Sequence, residues 1–278
     1  MSAATNPAST STAANCTLAE LCIAAASEAW RGNGELLASG IGYVPRLAAS
    51  LAKLTHSPEL LMTDSEAYLV SEPVPIGARG EYKPKIEGYL SFERVFECVW
   101  SGKRHAMVGP TQIDAYGQSN ISAIGDYARP KAAMLGSRGF PGNTINHINS
   151  MFVPNHGPRV FVAGEVDMVS GVGYKKERWP AGAKRDYVDL RLIVTDLCVM
   201  DFGGPDHAIR VKSLHPGVTF DQVQAATGFP LLKAADLGET PLPTQEQLAI
   251  IAKLDPHNLR ATVIKNNPPA IRAAQAAA

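Results

Sequence analysis

A glycine-rich stretch carries the residues whose types and spacing best suit chemistry on an anion. The run from Gly109 to His147 is built from glycines, small polar residues and amides, with few long apolar runs. Such a segment buries little hydrophobic surface and exposes many backbone N–H groups, so flanking strands must hold it in place. Its glycines permit positive φ and close backbone approach, which suits a phosphate or a developing oxyanion. The alternative interpretation is a glycine-rich connection without a ligand.

The loop SRGFPGN within this stretch supplies most of the candidate site residues. Gly139 and Phe140 are the predicted catalytic positions, because their main-chain amides would face an oxygen that becomes negative, and one such donor is typically worth roughly 3 kcal/mol in a transition state. Arg138 would pair with a ligand carboxylate or phosphate, or remain a surface charge. The predicted binding residues lie in the loop and in the preceding turn GQSN, where polar residues also commonly satisfy their own backbone: Ser119, Asn120, Ser137, Arg138, Gly142 and Asn143.

Glu66 is the candidate catalytic carboxylate. It follows the apolar run Leu60–Thr63, which predicts a strand. Ligands of open α/β sheets collect at the carboxyl ends of strands, so a carboxylate there can act as nucleophile, as base, or as a group that orients water or substrate. A solvated loop acid is the alternative, and the sequence leaves these roles open.

Strands and helices must alternate along the chain to position these residues. Apolar periodicity and capping residues predict helices over 17–31, 44–54 and 92–100 and after Thr219 and Thr244, with strands over 35–39, 60–63, 105–108, 145–153, 159–166 and 190–199. Proline and glycine interrupt residues 72–90, which predicts an excursion or lid, and residues 175–189 predict a surface loop. The alternation indicates an α/β fold with an open, mostly parallel sheet flanked by helices.

Composition excludes several classes of function. Lysine plus arginine number 26 and aspartate plus glutamate 26, so the 278-residue chain has zero net charge and no strong overall attraction to nucleic acid or anionic membrane. Cys16, Cys22, Cys98 and Cys198 form no Cys-x-x-Cys pair, which indicates reduced thiols and no metal site. No segment approaches the roughly 20 apolar residues of a membrane helix, and no signal peptide is visible, so we expect a cytoplasmic protein.

Composition also suggests the domain boundaries. Residues 1–15 are mostly Ala, Ser, Thr and Asn, which predicts a disordered tail. Residues 16–262 carry the periodic segments without an internal linker, which predicts one α/β domain, and residues 263–278 are predicted to be a second tail. His147 and His156 have no spaced partner that suggests a metal, so both are predicted to be structural.

Four segments together resemble motifs of a known family. They are Leu60–Asp64 leading into Ser65-Glu66, GQSN at 117–120, SRGFPGN at 137–143 and HPGVTFDQVQAATGF at 215–229. The chain from 17 to 254 is thereby similar to the β subunits of class I coenzyme A transferases. The resemblance implies the class I CoA-transferase fold and an active site shared with an α-type subunit in a heterodimer or heterotetramer. It implies no cofactor, because coenzyme A is part of the acyl-CoA substrate.

One departure from the family pattern bears on the reaction. Transferase β subunits carry a glutamate in a Ser-Glu-Asn-Gly or similar motif, and that glutamate forms a glutamyl thioester, whereas this chain reads Ser65-Glu66-Ala67-Tyr68. The segments GSRGFPGNTINH and VMDFGGPDH are similar to the ring-opening hydrolases of steroid degradation within the family; in the second, Asp201, Asp206 and His207 form another polar cluster, suited to supporting a site or an interface.

This branch of the family implies hydrolytic retro-Claisen cleavage of a 6-oxocyclohex-1-ene-1-carboxyl-CoA type ring. Two alternatives remain open. One is a true CoA-transferase that uses Glu66, and the other is a non-catalytic module for sugar phosphates or effectors, since open α/β sheets with glycine loops also serve that purpose.

Overall fold

Fourteen strands and six α-helices are present in residues 15–271, the part of the chain that the structure, a computed structural model, describes. The strands are β1 (Leu37–Gly40), β2 (Met62–Thr63), β3 (Tyr68–Val70), β4 (Ile86–Tyr89), β5 (Arg104–Val108), β6 (Gln112–Ile113), β7 (Ser119–Asn120), β8 (Ala123–Ile124), β9 (Ala132–Ala133), β10 (Ile148–Val153), β11 (Asp189–Thr195), β12 (Cys198–Asp201), β13 (Arg210–Leu214) and β14 (Leu232–Glu239). The helices are α1 (Leu18–Ser27), α2 (Tyr43–Leu54), α3 (Phe92–Trp100), α4 (Phe140–Asn146), α5 (Phe220–Ala225) and α6 (Gln245–Leu254).

Seven strands form one central sheet in the order β1-β5-β10-β11-β12-β13-β14. The neighbours β1, β5, β10 and β11 are parallel, β12 is antiparallel to both β11 and β13, and β13 is parallel to β14. The predicted α/β fold with an open, mostly parallel sheet is confirmed. Because parallel strands end at the same edge, the segments that follow Gly40 and Val108 lie side by side.

Side chains of the central strands alternate between two hydrophobic clusters, one on each face of the sheet. Met107 and Phe152 belong to a cluster that includes buried residues of α1, α2 and α6. Val108 and Met151 belong to a second cluster, which includes Phe140 of α4 and buried residues of the loops on that face. Both faces are therefore covered, as a largely parallel sheet requires.

Local sequence signals locate the helices well. Thr17, Thr219 and Thr244 are N-caps, and each forms a capping box with a glutamate or glutamine three residues later. The helices predicted over 44–54 and 92–100 are α2 and α3, within one residue of the predicted ends. These signals depend on neighbouring residues, so tertiary contacts are not needed to read them.

Several strand predictions are wrong. Residues 159–166 form no regular strand, and Phe161 contributes only an isolated bridge to Ile113. Residues 145–146 end α4, so the predicted strand begins at Ile148. The run 190–199 is two antiparallel strands, because the hydroxyl of Thr195 accepts the N–H groups of Leu197 and Cys198 and turns the chain.

Other strands differ in placement or escape the sequence patterns. Residues 62–63 form β2, which pairs antiparallel with β3 in a separate three-stranded sheet with β4. That small sheet includes the end of the predicted 72–90 excursion. No apolar alternation marks β13 or β14, and β14 buries only Ala234.

The packed part of the chain extends past residue 262. The N–H of Leu18 donates to the C=O of Pro268 at 2.8 Å, and Ile264 and Ala270 are buried against the cluster around α1. Residues 1–14, nearly all of the first predicted tail, and residues 272–278, the last seven of the second, lie outside the described residues. All four cysteines are free thiols, as predicted. No helix in the described range has the length and hydrophobicity needed to cross a membrane.

Buried histidines dominate the expected pH dependence of stability. Burial lowers the pKa of His156 to about 3, that of His147 to about 4, and that of His105 well below the ordinary value. An unfolded histidine has a pKa of about 6.5, so below that pH the unfolded chain takes up protons that the folded chain excludes, and stability is lost as the pH falls. Burial raises the pKa of Asp114 to about 6, so near pH 5 the folded chain holds a proton that the unfolded chain has lost. This one group partly offsets the loss of stability.

We expect the free energy of unfolding, measured by urea denaturation, to fall by roughly 4 kcal/mol between pH 7 and pH 5. Replacing His156 by glutamine should remove roughly 2 kcal/mol of that dependence, because the unfolded variant has one histidine fewer to protonate. The same replacement at the exposed His257 is the control. A wild-type stability that stays constant over this range would contradict the assignment.

Candidate active site

A cavity of about 540 Å³ opens at the carboxyl edge of the parallel strands, next to the ends of β1 and β5. Most of its lining is apolar, and the glycine loop closes one side. The lining residues are Ile41, Val108, Gly109, Thr111, Ile121, Met134, Leu135, Ser137, Arg138, Gly139, Phe140 and Asn143. Its size and apolar character are those of a small-molecule site, and its position is where open α/β sheets bind ligands.

The glycine loop is anchored through Phe140, the first residue of α4. The Phe140 side chain is 4% exposed and belongs to the cluster below the cavity, so the loop is held by its one large apolar side chain. Gly139 is the N-cap of α4, and Arg138 before it has φ +50°, a left-handed conformation that is uncommon outside glycine. The loop therefore has a defined shape, with the Arg138 side chain at the cavity wall.

The main-chain donors of this loop fall into two groups. The N–H of Phe140 donates to the C=O of Ser137 at 3.0 Å, and the N–H of Asn143 donates to the C=O of Gly139 at 3.1 Å. The N–H groups of Ser137, Arg138, Gly139 and Gly142 have no acceptor within residues 15–271. The Phe140 amide is therefore used inside the loop, while the free amide of Gly139 belongs to a residue that lines the cavity and that of Gly142 does not.

A neighbouring segment, Ser170-Gly171, fixes the loop from below. The Ser170 hydroxyl accepts a hydrogen bond from Ser137 Oγ at 3.1 Å and another from the N–H of Ile121 at 3.3 Å. Gly171 lies so close to α4 that an added Cβ would be 3.0 Å from Cε1 of Phe140. Sequence reasoning missed both residues; the only signal was the small-residue run Ser-Gly-Val-Gly at 170–173, which suggests close backbone approach.

Ser119 and Asn120 are fully buried and lie behind the cavity wall rather than at its surface. The Asn120 side-chain amide donates to Gln112 Oε1 at 2.8 Å and to the C=O of Ala123 at 2.7 Å, while its oxygen accepts the N–H of Ser122. These bonds hold the hairpin of β6 and β7. Asn120 therefore stabilises the hairpin behind the cavity wall.

Glu66 lies in the turn between β2 and β3, is exposed, and lines neither this cavity nor the smaller one beside it. Its N–H donates to Asp64 Oδ1 at 2.9 Å, and Ser65 before it has φ +80°. The structure therefore does not bring Glu66 and Phe140 into one cavity. The turn around Ile41 joins the two regions, because Ile41 lines the larger cavity and its neighbours line the smaller one.

The two histidines predicted to be structural make contacts that fit that role. His156 lies between the hydroxyls of Thr195 and Thr227, at 3.1 and 2.9 Å, and stacks on Phe161 at 4.1 Å between ring centroids. His147 is 3% exposed, and its Nδ1 lies 2.8 Å from the C=O of Ile148. No group of three or more His, Cys, Asp or Glu side chains within the described chain is arranged to hold a metal ion.

Comparison with known proteins supports one family. No protein-family model matches the chain. The chain is 45% identical over 245 residues to the cholesterol ring-cleaving hydrolase IpdB subunit of Rhodococcus jostii (strain RHA1), and the match covers 88% of this chain and 94% of that protein. It is 30% identical over 240 residues to the B-type subunit of 3-oxoadipate CoA-transferase from Pseudomonas knackmussii, with 80% and 87% coverage.

The solved structures agree with the sequence relatives. The crystal structure of Rhodococcus jostii RHA1 IpdAB matches with a TM-score of 0.83 and 44% sequence identity, and the match covers 90% of this chain and 98% of the matched chain. The fold and these similarities define a β subunit of the class I CoA-transferase family. Within that family the chain belongs to the group of the cholesterol ring-cleaving hydrolase IpdB subunits.

Replacing Gly171 by alanine should destabilise the protein by about 1–3 kcal/mol. The added methyl group would lie 2.4 Å from Ser119 Oγ and 2.9 Å from Thr144 Cγ2, so α4 or β7 has to move. Gly88 in β4 is the matched control, since a Cβ added there would meet nothing within 4 Å, and alanine at this strand position should not destabilise the protein. Urea denaturation of the two variants compares them, and equal losses would contradict the proposed contact.

Proposed function

We propose that this chain is the β subunit of a heteromeric acyl-CoA hydrolase that opens a 6-oxocyclohex-1-ene-1-carboxyl-CoA type ring during steroid catabolism. The observation that carries the proposal is the apolar cavity under the glycine loop, in a chain 45% identical to a cholesterol ring-cleaving hydrolase subunit. Coenzyme A enters as part of the substrate, and we propose no separate cofactor. We also propose a cytoplasmic location for the enzyme.

The reaction is a hydrolytic retro-Claisen cleavage. Water loses a proton to a base and adds to the ring ketone, which gives a tetrahedral alkoxide. When the alkoxide collapses to a carboxylic acid, the ring C–C bond breaks and its electron pair passes into the thioester; because the receiving carbon also carries the ring double bond, the product is an allenolate, which is then protonated at carbon. Negative charge develops on oxygen at both stages, so fixed N–H donors lower the barrier.

The free amide of Gly139, at the cavity, is the proposed main-chain donor to that oxygen, and the free amide of Gly142, outside the lining, is proposed to bind another part of the substrate. A single preorganised donor of this kind contributes about 3 kcal/mol to transition-state stabilisation. The apolar wall around Val108 and Met134 supports the same assignment, because a dry site strengthens the hydrogen bonds and suits a carbocyclic acyl group. Arg138 at the wall is proposed to bind a negatively charged part of the substrate.

The cavity contains no candidate for the base. Its only ionisable lining residue within the described chain is Arg138, which cannot accept a proton at neutral pH. The base is therefore proposed to come from the α-type subunit, which would close the open side of the cavity. This requirement of the proposed reaction supports a heteromer.

The surface of α3 supports the same partner. Phe92 is 78% exposed and Trp100 is 70% exposed, and both contact Phe96 along one side of the helix. Contiguous exposed aromatic side chains are typical of protein–protein interfaces. We propose that the α-type subunit covers this aromatic face of α3.

Replacing Phe92 and Trp100 together by serine should weaken binding of the α-type subunit at least tenfold, because buried aromatic side chains typically contribute about 1–2 kcal/mol each or more to an interface. Analytical ultracentrifugation of mixed subunits measures the change. Serine at Tyr187, which is 72% exposed in the loop before β11, is the matched control. If the double variant binds the α-type subunit with unchanged affinity, that subunit does not cover the aromatic face of α3.

The main alternative is a CoA transferase that forms a glutamyl thioester at Glu66. The retained glutamate and the 30% identity to a CoA-transferase subunit favour it. The exposure of Glu66 outside the cavity favours the hydrolase, in which Glu66 is proposed only to orient water or substrate. The two mechanisms differ in whether an acyl-CoA modifies the protein.

The complex of both subunits should open the ring with incorporation of labelled oxygen from water into the new carboxylate. Replacing Glu66 by glutamine should lower the rate by about tenfold or less, since an orienting hydrogen bond is lost but no covalent step is. Borohydride treatment in the presence of acyl-CoA, followed by mass spectrometry, should find Glu66 unmodified. A reduced Glu66, together with transfer of CoA to an added carboxylic acid, would favour the transferase.

A further inference from the structure

A second, smaller cavity at the same edge of the sheet brings two cationic side chains together. Its volume is about 330 Å³, and it lies between the start of α2 and the loops that flank the small sheet. Arg46 and Arg79 line it, with Tyr43 and Ser65 as the other polar side chains, and none of its lining residues is a carboxylate. The mechanism proposed above makes no use of these two arginines.

Both guanidinium groups are held in place by the turn between β2 and β3. Arg46 Nη2 donates to the C=O of Thr63 at 2.5 Å, and Arg79 Nη2 donates to the C=O of Asp64. Each guanidinium has five N–H donors and uses one of them in these contacts, so most of its donors remain for another acceptor. Within residues 15–271, the carbonyl of Thr63 is the only hydrogen-bond acceptor of the Arg46 side chain.

The local charge is unbalanced. Among the described residues, Asp64 is the only carboxylate that pairs with either guanidinium; it is 3% exposed and lies 3.5 Å from Arg79 Nη1. Burial and the positive charge of Arg79 both lower the pKa of Arg46, which remains protonated because an arginine does not lose its proton in proteins. Two guanidinium charges against one carboxylate leave about one unit of positive charge in the cavity. An oxyanion bound there would offset it.

The turn 40–42 connects this cavity to the larger one. Gly40 passes directly under α2, where an added Cβ would lie 2.2 Å from the C=O oxygen of Pro45, so the chain is held close to the helix. Gly40 and Gly42 line the small cavity, whereas Ile41 between them lines the large one. A molecule whose acyl group occupies the large cavity therefore needs to extend only across one turn to reach the arginines.

We propose that Arg46 and Arg79 form an oxyanion-binding subsite for the same acyl-CoA molecule whose acyl group occupies the larger cavity. This inference rests on the proposed function. The oxyanion is a carboxylate on the acyl group or a phosphate of coenzyme A, and both present oxygens that suit the guanidinium fork. Because the same arginines hold the Asp64 turn, a ligand bound there also orders the turn that carries Glu66.

Binding of three unreactive probes to the two-subunit complex tests the subsite by calorimetry. Glutaryl-CoA and pentanoyl-CoA differ only in a terminal carboxylate, and pentanoyl-pantetheine lacks the nucleotide phosphates. The variants are Arg46→Met and Arg79→Met, which remove the charge, and Arg46→Lys, which keeps it. Arg94→Met is the control, because Arg94 is an exposed side chain of α3 paired with Glu97.

Two affinity ratios are compared: glutaryl-CoA to pentanoyl-CoA, and pentanoyl-CoA to pentanoyl-pantetheine. We expect each methionine variant to reduce one of these ratios at least tenfold, while Arg46→Lys retains most of it. Loss of the glutaryl-to-pentanoyl ratio identifies a carboxylate, and loss of the CoA-to-pantetheine ratio identifies a phosphate. Both ratios unchanged in both methionine variants would overturn the subsite and leave the proposed function standing. If wild-type complex binds none of the probes, the proposed function fails and the subsite fails with it.

Discussion

The buried ring of Phe140 is the contact on which the candidate site depends. The glycine loop has almost no apolar surface of its own, so it cannot fold independently, and Phe140 is its only large anchor in the core. The ring can lie there because Gly171 below it has no side chain, and because Ser170 ties Ser137 to the adjacent hairpin. The loop amides thus acquire fixed directions before any ligand arrives, which is what stabilisation of a developing charge requires.

The polar groups around the cavity are of two kinds: some are hydrogen-bonded to the protein and hold the loop, and others are unpaired and available to a ligand. The side chain of Asn120, the Ser170 hydroxyl and the amide of Phe140 have protein partners, whereas the amide of Gly139 at the cavity has none among the described residues. A buried polar residue with all its bonds made stabilises shape, and an unpaired donor at a cavity is available for function. The described lining residues include no base, which supports the proposal that an α-type subunit completes the site.

The sequence patterns succeed where a structure is determined by neighbours in the chain. Capping boxes at Thr17 and Thr244 mark helix starts because the hydrogen bonds close within one turn. They fail for the run 159–166, whose β-branched residues suggest a strand. Its apolar residues are there because Phe161 packs on His156 and Phe229, and its backbone bonds go to turns and to single partners. β14 shows the opposite case, since it pairs through its backbone while burying one side chain.

By itself, the sequence determined the fold class and the loop at 137–143 around which the site is built, because apolar periodicity and glycine spacing are local properties, and its motifs resembled those of the family. Only the tertiary structure decided which members of that loop line the cavity, that Ser119 and Asn120 lie behind its wall, and that Glu66 is outside it. It also brought Arg46 and Arg79, 33 positions apart in the chain, to one place. Contacts between distant segments depend on how strands and helices pack against each other. Such contacts cannot be read from the residue types at individual positions.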